Sequence, residues 1–98
     1  MRLDRCVERI EAELFTDGSN NAVVRLPGRR FPGVLIQGDT LANLRADVAE
    51  AQEACTRGDI DEVRESVAFV LQDLDGLLER YAKALEAHGM PLPFHRAS

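Results

Sequence analysis

The sequence predicts an α+β fold: a small antiparallel sheet of about three strands, entered through a β-hairpin, then an antiparallel two-helix hairpin with a long C-terminal helix. Three observations carry this expectation. Apolar residues alternate with polar ones before Gly38, and they recur every three or four residues after it. Turn-forming pairs, Asp17-Gly18, Pro27-Gly28, Pro32-Gly33 and Gly58-Asp59, fall where the pattern breaks.

The first strand is expected over Glu8 to Thr16, with Ile10, Ala12 and Leu14 on a buried face and Glu11 and Glu13 on the other. A helix beginning near Arg5 is the alternative, because Glu and Ala favour helix. Leu14-Phe15-Thr16 running into Asp17-Gly18 favours the strand, as these are the residues of a strand meeting a turn. Ala22 to Leu26 then returns as the second strand. Pro27-Gly28 and Pro32-Gly33 interrupt the ladder, and Val34 to Gln37 forms the third strand.

Asp39 or Thr40 offers an oxygen to the free amides of the first helix, as an N-cap does. Leu41, Leu44, Val48, Ala51 and Cys55 line its apolar face. Gly58 ends it, and Asp59 caps the second helix, with Asp61 and Glu62 complementing the helix dipole. In the second helix Ile60, Val63, Val67, Val70, Leu74, Leu77, Tyr81, Ala84 and His88 step by three and four, and Leu71, Leu78 and Leu85 widen the stripe. Gly89, Pro91 and Pro93 stop it, and the proline-rich tail is either anchored to the body by Phe94 or disordered. The 98 residues are expected to form one domain, with a β part over about 7–38, a helical hairpin over 39–89 and a tail over 90–98.

A helix from Asp61 to His88 is about 42 Å long, whereas the first helix covers only about 27 Å of it. A compact chain of this size has a radius of gyration of about 13 Å. Either Gly76 breaks the long helix, or a second copy covers the remainder of its stripe. We expect a homodimer through Val70, Leu71, Leu74, Leu77, Leu78 and Tyr81.

The composition is 45% hydrophobic and 30% charged with a net charge of −5, which is that of a soluble globular chain and a poor general binder of nucleic acid. No apolar run approaches a membrane span, and charges at Arg2, Asp4, Arg5, Glu8 and Arg9 disrupt a signal-peptide core, so a cytoplasmic location is expected. Cys6 and Cys55 are read as reduced and at least half-buried. His88 and His95 have no cysteine or carboxylate at metal-ligand spacing, and no glycine-rich phosphate loop occurs. No cofactor and no catalysis are expected.

Arg25, Arg29 and Arg30 form the one basic cluster near a turn; with Asn20 and Asn21 they are the candidate partner-binding residues. Two readings stand together. They are solvated residues pairing with the excess of carboxylates, or they bind an acidic protein or nucleic acid.

Phe31 to Leu41, "FPGVLIQGDTL", resembles HicB-type antitoxins, in which a Pro-Gly, a strand and Gln-Gly-Asp-Thr-Leu precede an amphipathic helix. "LFTDGSNNAVVRLPGRRF" resembles the swapped-hairpin domain of AbrB- and VapB-like antitoxins, but Val24 is additional here and reverses the face of every later side chain. "NAVVRLPGRRFPGVLIQGD" followed by two helices is similar to a family of small bacterial proteins of unknown function. The two antitoxin resemblances imply a non-enzymatic protein-binding module of antitoxin or immunity type, expected to act, through the homodimer read from the helix stripe, on a protein partner such as a toxin or an enzyme encoded nearby. A DNA-binding autoregulator of swapped-hairpin type is the alternative, and a small ligand-binding or enzymatic module ranks below both.

Overall fold

A computed structural model describes residues 6–95. Arg2, Asp4 and Arg5 of the N-terminal charge pattern, and Arg96 to Ser98 of the tail, lie outside the described residues. The architecture is α+β, as expected. Strands β1 (Glu13–Leu14), β2 (Val23–Arg25) and β3 (Gly33–Val34) form an antiparallel sheet in the order β1-β2-β3. Helices α1 (Gly38–Arg57) and α2 (Ile60–Ala87) follow.

The strands are shorter than the alternation predicts, and the first faces the other way. Glu13 pairs with Arg25 and Leu14 with Val24, and the ladder ends there, two residues short of Pro27, which has no amide to donate. Ile10, Ala12 and Leu14 are exposed. The Phe15 N–H donates to the Val23 carbonyl at 2.8 Å, which puts Phe15 opposite Val23 on the inner face. One residue of register decides the face.

Val23, Tyr81, Ala84 and Leu85 form the core, with Phe15, Val34, Met90 and Leu92 packed against it. The sheet thus closes on the C-terminal half of α2. From Met90 to His95 the chain is irregular, and the Phe94 ring lies 6.1 Å from that of Tyr81.

The helix ends follow local chemistry. Gly58 takes φ 74°, where a side chain would be strained, and Asp59 accepts the Glu62 N–H at 3.1 Å. The expected cap of α1 is corrected: helix begins at Gly38, Gln37 is the N-cap without a side-chain bond, and Asp39 accepts only from the Thr40 N–H. α2 continues through Gly76 without a break.

α1 packs on α2 and reaches none of the strands. Of its predicted apolar face, Leu41, Val48 and Cys55 are exposed, Leu44 and Ala51 are half-buried, and the fully enclosed residue is Ala54. The result is an angular molecule with a radius of gyration of 17.3 Å, well above the roughly 13 Å of a compact chain this long.

Tyr81 joins the two parts: its hydroxyl donates to the Pro32 carbonyl at 2.8 Å, and burial pushes the phenol above its ordinary value. A raised folded-state pKa favours the neutral form, so this stabilisation is complete below the unfolded pKa and is lost as pH rises through the folded value. Tyr81 is the single tyrosine, so tyrosinate absorbance reports it alone. Ionisation is expected above the phenol value of about 10 and together with loss of helix; ionisation at about 10 in the folded protein contradicts this packing.

Candidate functional site

Two apolar surfaces remain uncovered, one on the helices and one on the sheet. On α2 the apolar stripe is wider than α1. With Ile60 taken as the first position of a heptad, Ile60, Val67, Leu74 and Tyr81 recur every seven residues, flanked on one side by Val63, Val70 and Leu77 and on the other by Leu71 and Leu78. Val63, Val70 and Leu77 are half-buried, whereas Val67, Leu71, Leu74 and Leu78 are open to solvent. Val48, Ala51, Val67, Val70, Leu71 and Leu74 line an open groove of about 200 Å³ between the helices.

The residues expected at a dimer interface therefore divide. Leu71 and Leu74 are 56% and 43% exposed, and Leu78 is exposed beside them. Val70 and Leu77 are half-buried. Tyr81 is corrected: it is 5% exposed, enclosed by the sheet of its own chain, and unavailable to a second one.

The second surface runs from the outer face of the sheet, at Val24, Gly33 and Leu35, over the β3 edge at Pro32 and Val34 to Leu26 and Phe31; these residues and Arg29 line a groove of about 410 Å³. Its loop is built by a turn in which the Arg29 N–H donates to the Leu26 carbonyl at 3.2 Å and Gly28 takes φ 79°.

Arg25, expected to contact a partner, is engaged within its own chain. Its Nε and Nη2 donate to the two carboxylate oxygens of Glu13 at 2.7 and 3.0 Å, Nη1 donates to the Arg30 carbonyl at 3.2 Å, and the guanidinium lies 5.5 Å from the Phe15 ring centre. Such a bidentate pair has a fixed geometry. The hydrogen bond from Arg25 holds the Glu13 carboxyl below its ordinary value. Arg25 is thus a brace between β1 and the basic loop.

Arg29 is exposed, and Arg30 stacks 5.3 Å from the Phe31 ring centre. Asn20 is exposed in the hairpin turn. Asn21 is half-buried at φ 62°, and its carbonyl accepts from Arg80 Nε at 2.9 Å, so its backbone shapes the turn. Arg80 also donates to Asp17 Oδ1 at 3.1 Å. Hydrogen bonds from Ser19, then from Arg80, hold the Asp17 carboxyl below its ordinary value. Sequence reasoning missed Arg80, because its partners lie about sixty positions away and no local pattern marks them.

Reactive groups are dispersed. His88 Nδ1 lies 2.8 Å from the Ala84 carbonyl and the ring meets Phe15 edge-on at 4.9 Å, which is a packed helix end. Cys6 and Cys55 are free thiols, and both are exposed where at least partial burial was expected. Among the described residues no group of three or more histidine, cysteine or acidic side chains is placed to hold a metal ion, and no helix is long and apolar enough to cross a membrane.

A model of DUF6959, described as a family of unknown function, matches residues 7–94. No curated protein and no solved structure matches the chain.

Proposed function

The chain belongs to DUF6959, a family of unknown function, and from that premise we propose that it is a non-catalytic protein-binding module of antitoxin or immunity type that acts as a homodimer. The observation that supports this reading is the exposed row Val67, Leu71, Leu74 and Leu78 beside Val48 of α1. A continuous apolar face of this kind marks an interface. A two-helix layer with one bare face is half of a four-helix bundle, and a second copy supplies the missing layer with the same residues. The radius of gyration, large for one chain, fits a subunit whose core is completed by another.

This dimer leaves the sheet groove for a partner. The DNA-binding alternative loses weight because Arg25, one of only three clustered arginines, is neutralised by Glu13. Sedimentation velocity at tens of micromolar is expected to give about twice the chain mass of 10.9 kDa. A single well-folded monomer would sink the proposal.

A further inference from the structure

Resting on the reading of the chain as a protein-binding module, we infer that the outer sheet groove takes a short extended segment of an acidic partner protein, with apolar side chains in the groove and carboxylates on Arg29 and Arg30.

The groove has the right walls. Leu26 and Leu35 are 47% and 55% exposed, while α2 covers only the opposite face of the sheet. Its rim is basic in a chain whose net charge is −5. Arg29 lies in the lining and Arg30 is stacked on Phe31, itself a wall residue. Neither forms an ion pair with a described residue, in contrast to Arg25, Arg57 and Arg80. Two cations on an apolar groove complement carboxylates interspersed with apolar side chains. Nucleic acid needs a broader field of positive charge and gains little from Leu26 and Leu35.

The backbone limits how the segment lies. The Leu35 N–H donates to the Ala22 carbonyl at 2.8 Å, and Val24 is opposite Gly33, so in an antiparallel ladder Gly33 and Leu35 point their amides at β2. The N–H and carbonyl of Val34 then point away from the sheet. Pro32 has no amide donor, and its carbonyl is taken by Tyr81. The edge offers one residue's worth of pairing at Val34, which aligns a short extended segment without templating a long strand. The loop is already ordered for this by the Leu26 to Arg29 turn and by the bond from Arg25 to the Arg30 carbonyl.

The test is selection of a phage-displayed library of random dodecapeptides on the intact protein, followed by titration of the enriched peptides. Enriched peptides are expected to interleave Asp or Glu with apolar residues, to bind more weakly as salt rises, and to lose about tenfold or more in affinity to Arg29→Glu/Arg30→Glu. Leu35→Asp, at an exposed position, is expected to weaken them as well. No enrichment, enrichment without acidic residues, or equal binding to the charge-reversed protein would overturn the assignment. So would salt-dependent binding of random duplex DNA that the charge reversal abolishes while peptide binding persists. Sedimentation of the same variants separates the two claims: a dimer that binds no peptide removes the groove alone, and a monomer that binds peptide removes the dimer alone. A charge reversal that dissolves the dimer gives the groove to a second copy of the chain and overturns the partner assignment.

Discussion

Replacing Leu85 with alanine is expected to destabilise the fold by about 2–5 kcal/mol, the range for deleting a buried leucine side chain. Leu85 and Val23 are the largest fully buried side chains among the described residues, and they meet where the sheet docks on α2. The neighbours Ala82 and Ala84 are small, and Phe15, Val34, Met90 and Leu92 reach the site from the strands and tail. Tyr81, the large α2 side chain in this cluster, is tied to the Pro32 carbonyl through its hydroxyl and is not free to refill the space, so the cavity persists. The docking of the sheet rests on this point, because α1 does not touch it. Urea unfolding measures the loss; a change below about 1 kcal/mol, the level of an ordinary surface substitution, contradicts this core.

The double substitution Leu71→Asp/Leu74→Asp is expected to convert the dimer to monomer and to lower helix content. In an isolated chain these positions face water, and each change stays within about 0.5 kcal/mol. In a four-helix layer the same two carboxylates lose their water without gaining a partner, at a cost of several kcal/mol. The size of the effect therefore discriminates between the accounts. Phe69 provides the control: it is 55% exposed but lies about 160° around α2 from Val67, as two residues at 100° each imply. Phe69→Asp is expected to leave the sedimenting mass unchanged. Equal loss of dimer in both variants, or in neither, contradicts the assigned face.

Much of the helical part was legible because local chemistry decides it. Gly58 and Asp59 set the joint between the helices, and the step of three and four residues from Ile60 onwards set α2. Period alone does not say how wide a face its neighbour covers, so the exposure of Leu41 and Val48 on α1 became visible only in the packed hairpin. The sheet was legible in kind and topology but not in register. Alternation over Ile10, Ala12 and Leu14 is compatible with either face, and the pairing of Phe15 with Val23 chose the other one.

Of the residues proposed to meet a partner, Arg29 and Arg30 are exposed, whereas Arg25 and Asn21 are engaged within the chain by contacts that no local pattern marks. Arg25 pairs across the sheet with Glu13 only because β1 and β2 align in that register. Asn21 is occupied through its backbone by Arg80, a contact that only folding brings together. Tyr81 continues the stripe by period, but it lies where the sheet has already covered α2.

The measurement that tests the central claim most directly is an isotope-filtered NMR experiment on a mixture of labelled and unlabelled chains. It detects methyl contacts between copies alone. The account predicts cross-peaks from Val67, Leu71, Leu74 and Leu78, with none from the groove residues Leu26 and Leu35. A spectrum in which those helix methyls meet no second copy, or in which Leu26 and Leu35 do, would contradict it.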